Sequence, residues 1–453
     1  MTKNLLSVSV FQLMRVLVIG GGAREHAICK AVVESGGELY SFMKNANPGI
    51  KRLAHDYMLH DERDAEKVLE YALNKKIELA IIGPEAPEEA GVTNILQEGG
   101  VMVASPTKEA AEIETNKEFM RKLMEKYNIK GSVKCGVFKD VNEVKEFIEM
   151  LGGDVAVKPL GLTGGKGVKV AGDHFNTIEE AVEYAKEIIE KGIGSHKKVL
   201  IEEKVVGEEF TLQAFCDGST IYPMPAVQDH KRLLPDDKGP NTGGMGSYSH
   251  KSGLLPFMTA DDYEEAATIL QKIIEALKKE GREYKGVIYG QFMLTADGPK
   301  VIEINARFGD PEAMNVLPIL ETNFIDICLA MVEEKLSRIK IRFANKSTVC
   351  KYVVPKGYGI KPEAGKEIKV DEKAIKENGG LLFYASVNEE NGKIYTTTSR
   401  SLAVVGIADE IDEAEQICER CLRYVEGDIF IRHDVGKREL IEKRIKHMEM
   451  IRG

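Results

Sequence analysis

Long apolar runs and an excess of positive charge are both missing from this sequence. No stretch approaches about 18 uninterrupted apolar residues, which argues against a membrane-spanning helix. The 62 basic residues stand against 72 acidic ones, and a chain with a formal net charge of −10 is a poor candidate for general nucleic-acid binding. We therefore expect neither a membrane nor a nucleic acid as a partner.

Cysteine is scarce, with only seven scattered along 453 residues, so a disulfide scaffold is excluded. Reduced thiols are typical of the cytoplasm, where we expect this protein. Cys418 and Cys421 form the one close pair, within the amphipathic pattern EAEQICERCLRYVEG. Because no second pair and no histidine cluster follows, we predict that these cysteines pack a helix. The first residues lack the positive charges and the cleavage site of a signal peptide. Because Met14 directly precedes the first convincing strand, residues 1–13 are predicted to be an extra N-terminal segment.

The length predicts roughly three domains. Early in the chain, the strand-like runs RVLVIG, ELYSFM, ELAIIG and VMVAS alternate with helical patterns, which indicates a parallel sheet. Ligands bind such sheets at the carboxyl ends of the strands, here the segments 20–22, 83–85 and 105–107. The helical stretch KEAAEIETNKEFMRKLMEKY then leads into strands that include an antiparallel hairpin, and further β runs and two helices form a small α+β tail.

The glycine run after the first strand, VLVIGGGAREHA, begins like a dinucleotide-binding fingerprint. The third glycine position is Glu25, however, and Lys44 and Asn45 follow the next strand where a ribose-binding acid is needed. A nicotinamide dinucleotide site is therefore not favoured. A mononucleotide or sugar-phosphate site at the helix N-terminus stays open, as does a tight turn without a ligand.

A second glycine loop, KPLGLTGGKGV, joins two apolar strands and is flanked by lysines. It is not a Walker A loop, but its amides could fold over a triphosphate while Lys158 neutralises phosphate charge; a solvated turn is the plainer alternative. In the segment IEEKVVGEE, which follows, the paired carboxylates could bind an adenine amino group and Glu209 could reach ribose hydroxyls. A solvated acidic strand end is equally consistent with that segment alone.

The predicted hairpin carries Gln291 on one strand and Glu303, Asn305 and Arg307 on the next. The last three alternate and so share one face, which would be costly to bury without a ligand. Oxygen ligands of this kind suit Mg²⁺ held against phosphates, and Arg307 suits a carboxylate or phosphate; a solvated polar face is the alternative. The segment 228–246, QDHKRLLPDDKGPNTGGMG, is predicted to be a long polar loop that covers a site.

Taken in order, these motifs resemble one family closely. VLVIGGGAREHA, IIGPEAP, VAVKPLGLTGGKGV, IEEKVVGEE, QDHKR, GPNTGGMG and VIEINARFGDPE are similar to the phosphoribosylamine–glycine ligases (glycinamide ribonucleotide synthetases) of the ATP-grasp superfamily. The resemblance implies an α/β fold with a parallel-sheet pre-ATP-grasp domain over 14–116, a two-lobed α+β ATP-grasp body over 117–336 and a small α+β C-terminal domain over 337–453. It implies an ATP-dependent carboxylate–amine ligase of purine biosynthesis that acts through glycyl phosphate.

The resemblance also implies the roles of particular residues. The catalytic residues would be Lys158, Arg307 and Asp229. ATP would be bound by Lys117, Lys158, Gly164, Gly165, Lys166, Gly167, Glu202, Glu203, Val205 and Glu209. Phosphoribosylamine and glycine would be bound by Gly21, Gly22, Arg24, Glu25, Pro84, Glu85, Asp229, Lys231, Asn241, Thr242, Gly243, Arg307, Gly309 and Asp310. Mg²⁺ or Mn²⁺ would be held by Gln291, Glu303 and Asn305.

Other function classes remain as alternatives at this point. An oxidoreductase would need the third glycine and the ribose-binding acid that the first glycine run lacks. A different ATP-grasp ligase would release ADP in response to other substrates. A non-catalytic nucleotide-binding regulator would not turn ATP over. We expect only small-molecule substrates as partners, and a monomer or weak homodimer.

Overall fold

The computed structural model describes residues 13–161 and 167–453. Most of the predicted N-terminal segment and the middle of the second glycine loop therefore lie outside the described residues. The elements of the first block are β1 (Arg15–Ile19), α1 (Ala23–Glu34), β2 (Glu38–Met43), α2 (Pro48–Leu53), β3 (Asp56–Leu59), α3 (Ala65–Lys75), β4 (Leu79–Ile82), α4 (Glu85–Glu89), α5 (Val92–Glu98) and β5 (Met102–Val103).

This block forms the predicted parallel sheet, in the order β3-β2-β1-β4-β5. Strand β1 is central and its apolar side chains are buried on both faces, as expected for a sheet covered by helices. Two elements were not predicted, namely α2 and the short strand β3. The segment EEAGVTNILQEG has one of the helical patterns between the predicted strands, but it is divided into α4 and α5 because Gly91 has a φ of +84°, in the left-handed region.

The middle block combines helices with antiparallel sheets. Its elements are α6 (Lys108–Thr115), α7 (Lys117–Lys126), β6 (Cys135–Phe138), α8 (Val141–Met150), β7 (Val155–Pro159), β8 (Lys169–Val170), α9 (Ile178–Lys191), β9 (Val199–Glu203), β10 (Glu208–Asp217), β11 (Ile221–Pro223), β12 (Val227–Asp229), β13 (Arg232–Leu234), β14 (Lys238–Asn241), β15 (Gly246–Ser249), α10 (Ala260–Lys279), β16 (Lys285–Thr295), β17 (Gly298–Asn305), α11 (Ala313–Val316) and α12 (Phe324–Val332).

One small sheet of the middle block has the order β6-β9-β7-β8, and the predicted hairpin is the antiparallel pair β16–β17. The helical stretch before them is two helices, α6 and α7. Asn116 has an extended backbone at the break, and its side chain accepts a hydrogen bond from the Phe119 amide (3.1 Å), which caps α7.

The prediction that 228–246 is a long loop is wrong, although the segment does line the site. This segment contributes β12, β13, β14 and β15, and the side chains of Gln228, His230 and Thr242 are at most 4% exposed. The side chain of Gln228 is buried with both of its polar ends satisfied, because it donates to the Glu209 carbonyl (2.9 Å) and accepts from the Tyr248 hydroxyl (2.8 Å).

The last block extends the large sheet of the middle block. Its elements are β18 (Ser347–Pro355), β19 (Glu367–Val370), α13 (Glu372–Glu377), β20 (Leu381–Tyr384), β21 (Val387–Glu390), β22 (Lys393–Thr396), β23 (Leu402–Ala408), α14 (Ile411–Leu422), β24 (Val425–Gly427), β25 (Ile429–Ile431) and α15 (Arg438–Arg452). The main path of the sheet is β17-β16-β10-β12-β15-β18-β23-β20, so it crosses the boundary expected at residue 336.

The two cysteines of the close pair are buried in α14, which confirms that they pack a helix. Within residues 13–161 and 167–453, no helix combines the length and apolar character that crossing a membrane needs.

Candidate active site

The first sheet presents a glycine turn where β1 ends and α1 begins. The Gly22 amide donates to the Glu25 carboxylate (2.6 Å), and Arg24 Nε donates to the other oxygen of that carboxylate (2.5 Å). A Cβ on Gly83, which follows β4, would lie 2.1 Å from Glu25 Oε1. Glu25 is therefore a buried cap of the turn, and its position requires glycine at residue 83.

Two asparagines after β2 tie this turn to the last block of the chain, a contact that the sequence did not predict. Asn45 Nδ2 donates to the carbonyls of Gly21 and Val387 (3.1 Å each). Asn47 Nδ2 donates to the carbonyls of Gly21 (3.0 Å) and Tyr384 (2.7 Å). The turn is thus held by residues from both ends of the sequence.

Lys158, near the end of β7, lies in a buried ion-pair network. Glu202 of β9 contacts Lys158 Nζ (2.5 Å) and accepts from Arg121 Nε (2.6 Å). Burial by itself raises the pKa of Glu202, but Arg121 and Lys158 together lower it below its usual value. Glu202 is therefore not the free carboxylate that the sequence suggested, because it is committed to two cations.

The three predicted metal ligands lie together on the β16–β17 hairpin. Gln291 is opposite Glu303 in the strand register, and Asn305 Nδ2 lies 3.5 Å from Glu303 Oε1. Lys231 Nζ donates to Gln291 and is 4.0 Å from Glu303. Burial raises the pKa of Glu303, but nearby lysines, Lys231 foremost, lower it to about 2, so this carboxylate is ionised at neutral pH.

These three residues could supply only some of the ligands of a divalent cation. Among the described residues no group of three or more His, Cys, Asp or Glu is arranged to hold a metal ion. The hairpin offers one ionised carboxylate and two amide oxygens, which are the hard donors that Mg²⁺ accepts. The remaining positions would have to come from phosphate and water, as is usual where Mg²⁺ binds with a nucleotide.

Arg307 lies just beyond the hairpin, against the first block. One of its terminal nitrogens donates to Glu114 (2.8 Å) and to the Asn305 side-chain oxygen (3.1 Å). Its Nε is 3.5 Å from Glu85 but has no hydrogen-bond partner within the described part of the chain. Burial opposes the charge on Arg307, yet Glu114 and Glu85 raise its pKa, so the guanidinium stays charged.

A further part of the site contains Asp229, Glu312 and, from the last block of the chain, Arg400. Arg400 contacts the Asp310 carboxylate (3.0 Å) and donates to the carbonyl of Gly243. Burial, with Glu312 nearby, raises the pKa of Asp229 well above its usual value, and burial also raises that of Glu312.

These features line one cavity of about 1140 Å³ that is shared by all three blocks. The predicted residues on its wall are Gly21, Gly22, Arg24, Glu25, Pro84, Glu85, Lys117, Lys158, Glu202, Glu203, Val205, Glu209, Asp229, Lys231, Asn241, Thr242, Gly243, Gln291, Glu303, Asn305, Arg307 and Asp310.

A few of the predicted residues are not on that wall. The amide of Gly309 donates to Gln213 (2.8 Å) and the carbonyl of Gly167 accepts from Tyr184 (2.8 Å), and neither glycine lines the cavity. Gly164, Gly165 and Lys166 lie outside the described residues.

Other lining residues were missed by sequence reasoning. They include Asn45, Glu312, Ser386, Thr397 and Arg400. Glu312 stands in the motif RFGDPE, so attention to that motif could have found it. Asn45 follows β2, so the rule that ligands bind at the carboxyl ends of parallel strands could have found it. Ser386, Thr397 and Arg400 carry no local signal, because they reach the cavity only through the way the last block packs on the first.

Comparison with known protein families agrees with this arrangement. The chain matches models for the N domain (residues 14–114), the ATP-grasp (A) domain (residues 115–313) and the C domain (residues 348–438) of phosphoribosylglycinamide synthetase. This chain belongs to the phosphoribosylglycinamide synthetase family. The predicted family and fold class are thereby confirmed.

Curated relatives in this family span nearly all of the chain. The phosphoribosylamine–glycine ligase of Methanothermobacter thermautotrophicus is 54% identical over 440 residues, covering 97% of this chain and 100% of the relative. The enzyme of the same name from Methanocaldococcus jannaschii is 54% identical over 444 residues, with the same coverage.

Solved structures show the same fold. The phosphoribosylamine–glycine ligase of Thermotoga maritima aligns with a TM-score of 0.79 at 29% identity, over 93% of this chain and 100% of that one. The biotin carboxylase domain of the Hydrogenobacter thermophilus 2-oxoglutarate carboxylase aligns with a TM-score of 0.71 at 17% identity, over 97% of this chain and 94% of that one. The second likeness concerns the fold alone.

Proposed function

We propose that this chain joins glycine to 5-phosphoribosylamine at the expense of ATP, giving glycinamide ribonucleotide, ADP and phosphate in purine biosynthesis. Its curated relatives carry the name of this ligase, and ATP-dependent ligation is the chemistry of the family. The observation that carries the proposal is one shared cavity, because it joins the glycine turn after β1, the oxygen donors of the β16–β17 hairpin beside Lys231, and the partly buried Arg307.

The ligation needs an activated carboxylate, because a free carboxylate is a poor acyl donor. We infer that Lys158 and Lys117 neutralise ATP phosphates while Arg307 holds the glycine carboxylate in line with the γ-phosphate. Phosphoryl transfer depends mainly on positioning and charge neutralisation, which these cations would supply. The amine of phosphoribosylamine then attacks the glycyl phosphate and displaces phosphate.

A divalent cation would complete the phosphate site. Gln291, Glu303 and Asn305 would hold Mg²⁺ or Mn²⁺, which withdraws charge from the phosphate oxygens when bound. Hard oxygen donors around an ionised carboxylate support this assignment. The Hydrogenobacter thermophilus domain that shares the fold was solved with MgADP.

The substrates are assigned to parts of the cavity as follows. ATP lies between Lys158, Glu203, Val205 and Glu209, and phosphoribosylamine lies on the turn at Gly21 and Gly22 with Pro84 and Glu85. Glycine lies near Asp229, Arg307 and Asp310. The parts of the cavity that carry Lys158 and Lys231, and the N-terminal end of α1, suit anionic groups such as phosphates, which supports this assignment of the substrates.

We also propose three functional domains, over residues 14–116, 117–336 and 337–453. The first would bind phosphoribosylamine and the second would bind ATP. A monomer or weak homodimer acting in the cytoplasm stays a prediction.

The test is ADP release with ATP and Mg²⁺. We expect release that needs both glycine and phosphoribosylamine, with hydroxylamine trapping glycyl hydroxamate when the amine is left out. Glycine labelled with ¹⁸O in its carboxylate should carry one label into phosphate. ADP release that responds to bicarbonate instead of glycine, or phosphate without label, would contradict the proposal.

A further inference from the structure

The C-terminal helix α15 packs on the middle block of the chain. The match to the C domain of the family ends at residue 438, where this helix begins. Ile441 and Met448 of α15 are buried in the hydrophobic core that also contains Phe210 of β10 and Phe292 of β16. A helix that follows the matched domains is therefore anchored on two strands that line the cavity.

Arg444, on this helix, bridges two acidic side chains at the edge of the cavity. Its Nη1 atom lies 3.1 Å from Glu208 Oε2, and its other terminal nitrogen donates to Asp237. The side chains of Arg444, Glu208 and Asp237 are 17%, 5% and 24% exposed, so solvent screens these ion pairs only in part. His447, one turn further along α15, contacts the second carboxylate oxygen of Glu208 (2.6 Å).

The Asp237 end of this bridge lies at the tip of the β13–β14 hairpin. Asp236 and Asp237 have φ values of +57° and +55°, in the left-handed region that residues other than glycine rarely adopt. A tip of this kind persists only where its surroundings hold it. Arg432 donates to Asp237 (2.8 Å), and the Asp236 amide donates to Asp434 (2.9 Å). The tip is therefore held by the last block and by α15 together.

Both ends of the bridge lead to Gln291, one of the proposed metal ligands. Glu209, which follows Glu208 in β10, accepts from Gln291 Nε2 (2.6 Å). Lys231, which directly precedes β13, donates from Nζ to the side-chain oxygen of Gln291. Glu209 and Lys231 thus approach one amide group from two segments that Arg444 ties together.

We propose that Arg444 is a positioning residue of the ATP site. It bridges Glu208 and Asp237 and so keeps β10 and the β13–β14 hairpin in one relative position. Glu209 and Lys231 then stay in place around the bound nucleotide. The inference rests on the proposed function, because ATP is the substrate that these two side chains would face.

The first test measures the hairpin itself, without substrates. Hydrogen–deuterium exchange of the β13–β14 amides is followed by mass spectrometry in the wild type and in Arg444→Met, which keeps an unbranched side chain but no charge. We expect exchange at least about tenfold faster in the variant, since hydrogen bonds to charged groups that oppose local opening are lost.

Arg438→Met is the matched control for this test. Arg438 lies on the same helix, is 70% exposed at the side chain and pairs with Asp412, and neither residue lines the cavity. The hairpin of this variant should exchange as in the wild type.

The second test is steady-state kinetics. Arg444→Met should raise the KM for ATP about fivefold or more, whereas the KM for phosphoribosylamine should stay within about twofold of wild type. The reason is that phosphoribosylamine is assigned to the first block, which the bridge does not contact. Arg444→Lys should give intermediate values, because lysine keeps the charge but has no planar fork to hold both carboxylates. In an Asp237→Asn background, Arg444→Met should have a smaller effect than it has alone, since one of its partners is already lost.

Wild-type exchange of the hairpin in a folded Arg444→Met variant would overturn the proposal. Direct contact between Arg444 and the nucleotide would give that result, since the exchange is measured without ATP. An unchanged KM for ATP, or an equal rise in the KM for both substrates, would overturn it as well. If Arg444→Met does not fold, Arg444→Lys decides, because hairpin exchange at the wild-type rate would then show that the bridge is not needed. The proposed function is judged separately, by glycine-dependent ADP release from the wild type, on which the exchange comparison does not depend.

Discussion

Replacing Glu202 by glutamine tests whether the buried network of Lys158, Arg121 and Glu202 stabilises the fold as well as the nucleotide site. Glutamine has almost the same shape but no charge, so it leaves two buried cations facing a neutral amide. Arg121 and Glu202 are each 3% exposed at the side chain and Lys158 is 7% exposed, so solvent screens the loss very little.

The expected cost follows from these contacts. Removing one partner of a buried ion pair costs about 3–5 kcal/mol, because an uncompensated charge remains. Glu202 has two such contacts, at 2.6 Å and 2.5 Å, so we expect the free energy of unfolding to fall by about 3–5 kcal/mol. Glu203→Gln is the control: its carboxylate is more exposed and accepts from the Lys134 amide (2.9 Å), so we expect a loss of about 1 kcal/mol or less.

The sign of the pH dependence follows from the lowered pKa of Glu202 in the folded state. Its contribution is present above the unfolded value of about 4.3 and is lost as the pH falls through the folded value. The difference between wild type and Glu202→Gln should therefore shrink in acid.

The assay is urea unfolding followed by far-UV circular dichroism, because the chain has no tryptophan. It is run at neutral pH and near the acid limit of folding. A neutral-pH difference below about 1 kcal/mol, or one that does not shrink in acid, would refute the reasoning. The KM for ATP should also rise, because Lys158 loses the partner that positions it.

Three further predictions concern other walls of the cavity. Glu303→Gln removes the carboxylate of the proposed metal site, so the Mg²⁺ concentration for half-maximal activity should rise at least about tenfold; full activity at low Mg²⁺ would contradict that site. Gly83→Ala places a Cβ 2.1 Å from Glu25 Oε1, so a melting experiment should show a loss of about 1–3 kcal/mol, and unchanged stability would contradict the packing. Asn47→Ala removes one of the two side-chain donors to the Gly21 carbonyl and the donor to the Tyr384 carbonyl, so steady-state kinetics should show the KM for phosphoribosylamine rising more than that for ATP; an equal rise would contradict the placement of phosphoribosylamine on this turn.

Patterns short enough to be read along the chain determined much of the architecture. Alternating strands and helices predicted the first sheet, since a parallel sheet needs a crossover helix after each strand. The two-residue period of a strand placed Glu303 and Asn305 on one face, and the hairpin turn brought Gln291 opposite Glu303. The motifs were sufficient to indicate the family and the chemistry.

Only the tertiary structure decided which charged groups meet. Glu202 pairs with Arg121, which lies 81 residues away, and Asn47 donates to a carbonyl 337 residues away. No local period encodes such separations, so the sequence suggested a free carboxylate at Glu202 and gave no reason to connect Asn47 with the last block. The strands within 228–246 were missed for a related reason: a polar side chain such as that of Gln228 is buried where partners from other strands satisfy it. Local patterns record what one segment can bury by itself, whereas the cost of burying a charge or an amide depends on partners that the folded chain brings to it.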